Sequence, residues 1–124
     1  MTQSYVRVSV APRFISEQSS PDAGKYFFSY TITIVNSGAE GCQLVSRHWL
    51  ITNGDGKEQE VMGEGVIGKQ PLIKSGESFT YTSGVLLETP VGTMQGSYQM
   101  LDHDQNPFDV EIEPFLLAFP GAVN

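Results

Sequence analysis

The chain has 124 residues, 40% of them apolar and 17% charged, with thirteen Gly and seven Pro. That length is one ordinary domain with enough apolar material for a core, and the composition is not that of a disordered chain. Seven Lys+Arg against fourteen Asp+Glu give a net charge of −7, which excludes a generally basic surface for nucleic acid or an anionic membrane. Along the chain a period of two dominates. Val6, Val8 and Val10 alternate with Arg7 and Ser9; Phe28, Tyr30, Ile32 and Ile34 alternate with Ser29, Thr31 and Thr33, the pattern of half-buried strands. Residues 44–52 carry apolar side chains on both faces, Val45, Trp49 and Ile51 on one and Leu44 and Leu50 on the other, which reads as a central strand covered on both sides. Further strands are expected at 58–62, 66–69, 78–83, 94–100 and 108–119, the last bent at Pro114.

Turn residues separate these segments. Asn53-Gly54-Asp55-Gly56 supplies positive-φ positions for a tight hairpin, and Asn36-Ser37-Gly38, Lys74-Ser75-Gly76 and Asp104-Gln105-Asn106-Pro107 do similar work. No window of eleven or more residues has a capped 3.6 period, so no long helix is expected. The architecture that follows is all-β: an immunoglobulin-like or fibronectin type III-like antiparallel β-sandwich of seven to eight strands, in a single domain spanning 1–124. Trp49 fits the tryptophan often buried between such sheets.

Charge is unevenly placed. Residues 1–74 hold all seven bases and seven acids, whereas 75–124 hold seven acids and no base. Within the acidic part, Asp109, Glu111 and Glu113 point to one side of a strand and Val110 and Ile112 to the other. Successive carboxylates are then about 7 Å apart, within the physiological Debye length of ~8 Å, so their potentials reinforce. A solvated face is the simplest account; a docking stripe for a basic partner or a weak Mg²⁺-attracting surface is the functional one.

Gly63-Glu64-Gly65-Val66-Ile67-Gly68 matches G-x-G-x-x-G. In dinucleotide folds these glycines open a helix whose N-terminus holds a pyrophosphate. Pro71 follows too closely for that helix, so Gly63, Glu64, Gly65 and Gly68 are a candidate ligand or partner loop with a nucleotide, pyrophosphate or divalent cation as the alternative occupant. Asp102, Asp104, Asn106 and Glu113 mimic the spacing of a calcium loop, but Pro107 stands where such a loop needs Gly, leaving an Asx-type hairpin tip. His48, His103 and Cys42 share no ligand spacing, so no metal site and no cofactor are expected; His48 reads as a hydrogen-bonded, partly covered residue. Ser46, Ser83 and Cys42 have no recognisable base and orienting partner, so no catalytic residues are assigned and the chain reads as a non-enzyme. Arg47 is the odd residue on the Trp49 face, expected to stack or to pair with a carboxylate, in a structural role ahead of a ligand clamp. The lone Cys42 suits a reducing cytoplasm, no secretory signal is visible in 1–13, and no run approaches a membrane span. No membrane or nucleic-acid partner is expected, and an exposed edge strand leaves a homo-oligomer open.

Several segments together resemble one family across nearly the full chain. They are Glu17-Gln18-Ser19 with Pro21; 28–34 with Asn36; 46–52; 61–68 with Pro71; 79–84; 92–98; and Pro114-Phe115 to Pro120 with Asn124. They resemble the ApaG family, with Ser75 and Glu113 in place of frequent prolines. The resemblance implies a fibronectin type III-like sandwich, an association with Mg²⁺ and Co²⁺ efflux, and, because similar domains sit inside larger regulatory proteins, protein recognition. The expected function is a non-enzymatic cytoplasmic binding module acting through contact with a protein partner of unknown identity, at the Gly63–Pro71 segment or the acidic C-terminal strand.

Overall fold

The computed structural model describes residues 5–121; the two ends of the domain expected over 1–124, including Asn124 of the last signature, lie outside the described residues. Eight strands form: β1 (Val6–Phe14), β2 (Tyr26–Asn36), β3 (Cys42–Asn53), β4 (Glu58–Glu64), β5 (Leu72–Ile73), β6 (Ser78–Leu87), β7 (Val91–Leu101) and β8 (Pro107–Ala118). They make two antiparallel sheets, one in the order β1-β2-β6 and one in the order β4-β3-β7-β8, with β5 paired to β3. The expected sandwich is therefore the one that forms. Its only helices among the described residues are two three-residue 3₁₀ turns, Ser16–Gln18 and Pro21–Ala23, and none is long and apolar enough to cross a membrane.

The period-two pattern places the core. On β2 the alternating Phe28, Tyr30, Ile32 and Ile34 are buried, and each aligns in register with β1 on one side and β6 on the other. From the facing sheet Trp49 meets Tyr30 edge-on, ring centres 5.4 Å apart, and also Tyr98 and Phe115. Such pairs contribute about 0.5–1.5 kcal/mol each beyond the area they bury. Tyr81 of β6 and Tyr98 of β7 join hydroxyl to hydroxyl across the interior.

One strand departs from expectation. Residues 44–52 are not covered on both faces. The β3–β7 register shifts between Leu44 and Ser46, so Val45 has no partner. This bulge brings Leu44 onto the same buried face as Trp49 and Ile51 and turns Ser46, His48 and Leu50 outward. It also aims the Val45 carbonyl sideways, where it accepts from Gly65 N–H (2.7 Å) and Gln70 Nε2 (2.9 Å). A second irregularity, between Met94 and Gly96 on β7, falls opposite Glu113 and Pro114, the bend expected at Pro114.

The expected strand at 66–69 is likewise replaced. Ile67 (φ 44°) and Gly68 (φ 77°) are both left-handed, and Val66 and Lys69 exchange N–H···O bonds of 2.8 and 2.9 Å around them. That is a two-residue hairpin with the primed turn geometry. Two other turns form as expected: Asn53 Oδ1 accepts from Asp55 and Lys57 N–H, and Asp102 Oδ1 accepts from Asp104 and Asn106 N–H. These are Asx turns.

Candidate functional site

The glycine loop is built by strand pairing, with no helix after it. Gly63 lies opposite Arg47 in the β3–β4 register. Gly65 (φ 63°) gives its N–H to the Val45 bulge, while the Val66 and Lys69 N–H groups are used inside the hairpin. Three of the donors a phosphate would need are thus engaged, and the chain continues through Pro71 into β5. The helix N-terminus on which dinucleotide recognition depends is absent from this segment.

Beneath the loop is a pocket of about 290 Å³ lined by Tyr30, Arg47, Trp49, Glu64, Tyr81 and Ser83, with residues 66–68 at its rim. Arg47, expected to stack or to pair with a carboxylate, donates from Nη1 to the carbonyls of Glu64 (3.2 Å) and Gly65 (2.7 Å). Among the described residues no carboxylate lies within ion-pair distance of it. Burial pushes the Tyr81 hydroxyl up to about 12, its hydrogen bond to Tyr98 acting the other way. Burial also raises Tyr98, with Tyr81 adding to the effect.

The other candidate is the outer face of the five-stranded sheet. Paired rows run Glu64–Ser46–Gln99–Asp109 and Met62–His48–Ser97–Glu111. Glu64 from the glycine loop and Asp109 from the acidic stripe, separate in sequence, therefore end one row of four strands, about 14 Å apart at ~4.8 Å per step. Asp109, Glu111 and Glu113 are exposed while Phe108, Val110 and Ile112 are buried, as the alternation predicts. Glu58 and Glu60 extend the opposite rim. None of the outward side chains in these rows is Lys or Arg.

Between the rims the floor is polar and mostly uncharged. Ser46 Oγ donates to Gln99 Oε1, Gln99 Nε2 donates to Ser97 Oγ, each at 2.9 Å, and His48 Nε2 meets Glu60 Oε2 at 2.5 Å. His48 is hydrogen-bonded and partly covered, as expected. Two adjoining grooves of about 750 Å³ each share His48, Ser97 and Asp109 in their walls. The catalytic alternatives are not brought together: Ser46 faces Gln99, Cys42 is buried with its thiol pushed up by that burial, and Ser83 lines the Arg47 pocket. Of the exposed large apolar residues, Met62 (73% exposed) and Ile67 (55%) stand at the candidate sites without having been marked by the sequence reading. Met62 carried no signal apart from its place in an acidic strand; Ile67 could have been found only as a β-branched residue beside a turn glycine.

Comparison with known proteins agrees with the resemblance. Residues 16–102 match the ApaG domain family. The ApaG protein of Pseudomonas syringae pv. tomato is 56% identical over 119 residues, covering 96% of this chain and 94% of that relative. A solved Bordetella pertussis protein named ApaA is 50% identical with a TM-score of 0.91, covering 94% of each chain. A second solved structural-genomics target is 45% identical with a TM-score of 0.92, over 98% of this chain and 92% of that one. The chain belongs to the ApaG family.

Proposed function

We propose that the protein is a non-enzymatic binding module of the cytoplasm that works by protein–protein contact, and that the outer face of the five-stranded sheet receives a basic, extended segment of its partner. The observation that supports this most is the placing of Glu64 and Asp109 at the two ends of one row, with Glu60 and Glu111 beside them and no Lys or Arg among the outward side chains of the rows. Arg47 reaches the groove only from the opposite face of the sheet. Two negative rims over a neutral, hydrogen-bonding floor complement Lys or Arg side chains reaching outward from a central backbone. Electrostatic complementarity of this kind sets on-rate and selectivity more than raw affinity.

Among the described residues no three His, Cys, Asp or Glu side chains converge as ligands for an ion. In this reading the Mg²⁺ and Co²⁺ association implied by the resemblance belongs to the partner. The test is capture of a partner from lysate by the intact chain at low and at high salt, alongside Asp109→Lys/Glu111→Lys. A discrete partner released by salt and lost from the variant is expected. A partner held equally by both proteins removes this face from the function.

A further inference from the structure

The sheet edges are not equally guarded. β1 carries Pro12 between Arg7 and Arg13 and lies along β8. β8 carries Pro107, Pro114, a register shift and three carboxylates. β4 is seven residues long and presents Glu58, Glu60 and Glu64. These are the usual devices that stop a sheet from recruiting another strand. β6 has none of them. Its ten residues, SFTYTSGVLL, include no proline and no charge. It pairs with β2 without a register shift, and among the described residues no strand or loop backbone is bonded to its other edge. A long, uncharged, regular edge is a template for strand addition.

The Arg47 pocket opens beside this edge, since Tyr81 and Ser83 of β6 form one of its walls. An added strand alternates its side chains, so those facing the sandwich beside Tyr81 and Ser83 enter the pocket. There they meet a partly buried guanidinium whose Nη1 is held by two carbonyls, and whose other N–H groups donate to no described residue. Glu64 also lines the pocket but makes no ion pair with Arg47. An arginine fork in such a setting matches a carboxylate. Ile67 stands at the rim, half exposed and held at a φ of 44°. For a β-branched residue that backbone is strained, the kind of outlier that clusters at recognition sites.

We infer that β6 is the addition site for an extended peptide of a partner protein, one of whose Asp or Glu side chains seats on Arg47. A second copy of the chain is a poor occupant: two β6 strands centred on each other antiparallel set Glu77 opposite Glu88 twice, a like-charge pairing that destabilises, and neither strand brings a carboxylate to the pocket. The pocket shares Arg47 and Glu64 with one groove of the acidic sheet face, whereas the β6 backbone edge belongs to the other sheet. A β6 variant such as Thr82→Lys and the Asp109→Lys/Glu111→Lys variant therefore test the two surfaces apart.

The test pans a displayed library of random twelve-residue peptides against the intact chain, then follows the recovered peptide by amide hydrogen exchange and NMR titration. The expected peptides alternate apolar residues and share one Asp or Glu, and their binding slows exchange of β6 amides. Arg47→Gln weakens them about tenfold, the loss of one charged hydrogen bond. Replacing the peptide carboxylate by its amide costs the same, and the two losses do not add. Thr82→Lys, which guards the edge without touching the pocket, weakens binding as well and keeps the test open if Arg47→Gln fails to fold. Four results overturn the inference: no enrichment; basic peptides that shift only the Asp109 and Glu111 amides; Arg47→Gln and Thr82→Lys without effect; or β6 protection that rises with protein concentration alone.

Discussion

Gly63 sits directly across the β3–β4 pairing from Arg47, and a Cβ at that position would stand 2.9 Å from Nη1. The missing side chain lets the guanidinium lie over the strand and reach the Glu64 and Gly65 carbonyls. The three glycines of the G-x-G-x-x-G segment thus answer three different local demands: room for Arg47 at 63, a left-handed turn pressed against Lys69 at 65, and the second position of a primed hairpin turn at 68.

Those demands predict a graded alanine series. At Gly65 a Cβ would fall 2.3 Å from the Lys69 carbonyl oxygen on a backbone of φ 63°; Gly65→Ala should cost about 3 kcal/mol or more, combining overpacking with strain. At Gly68 there is open space and only the φ of 77° to oppose a side chain, so about 1 kcal/mol is expected. Gly63→Ala meets the end of the long Arg47 side chain, which can swing aside only by giving up its bonds to the Glu64 and Gly65 carbonyls, for about 1 kcal/mol. Urea midpoints measure all three. Equal stability of the three variants would show that the glycines are not set by packing.

Ile67 supplies a prediction of opposite sign. Asn accepts left-handed backbone far more readily than a β-branched residue and is the preferred first residue of a primed turn. Ile67→Asn should therefore stabilise the fold by about 0.5–1 kcal/mol while weakening peptide capture at the β6 edge, where Ile67 forms the pocket rim. A stabilised variant with undiminished capture would leave the strained residue without a binding role.

Asn36 is buried at the end of β2 and fully used: Nδ2 donates to the carbonyls of Glu40 (2.9 Å) and Ile73 (3.0 Å), and Oδ1 accepts from Gly38 N–H (2.9 Å). It ties β2, the following turn and β5 together. Asn36→Ala removes both donors and the acceptor and should cost about 2–4 kcal/mol, because each stranded buried partner carries its own desolvation cost. Hydrogen exchange should quicken first at Gly38, whose N–H loses its acceptor. A midpoint within 0.5 kcal/mol of the parent, on the order of a typical surface change, would contradict this.

Strand positions were legible because one-sided burial writes itself as alternation: 28–34 and 108–112 could be assigned a core face from side chains alone. The bulge at Val45 was not, since an inserted residue changes which face each later side chain takes without changing the composition. Leu44 and Leu50 therefore read as one face when they lie on two. The union of Glu64 with Asp109 was hidden for a different reason. It depends on which strands are neighbours, and strand order is set by contacts far apart in the chain. Arg47 stood out in sequence as a charge on a core face, but its carbonyl partners follow from the bulge and the glycine opposite.

The Tyr81–Tyr98 pair gives a dependence on pH whose sign is fixed. An ordinary tyrosine titrates near 10, and burial lifts Tyr81 to about 12, with its bond to Tyr98 and the nearby Arg47 partly opposing the rise. Burial and the neighbouring Tyr81 lift Tyr98 as well. A folded-state value above the unfolded one means the native protein keeps a proton that the unfolded chain has released. The contribution is therefore intact below pH 10 and is lost as pH climbs from 10 towards 12, on the order of 2 kcal/mol from Tyr81 alone. Thermal unfolding followed from pH 8 to 11.5 should show a steep loss above pH 10. Tyr81→Phe/Tyr98→Phe isolates the buried pair, because every other ionisable group is common to both proteins. The variant should begin less stable by about 1 kcal/mol for the missing hydroxyl pair and then decline less steeply above pH 10, so that the two curves converge. Parallel curves across that range would show that the buried hydroxyls do not hold their protons in the native state.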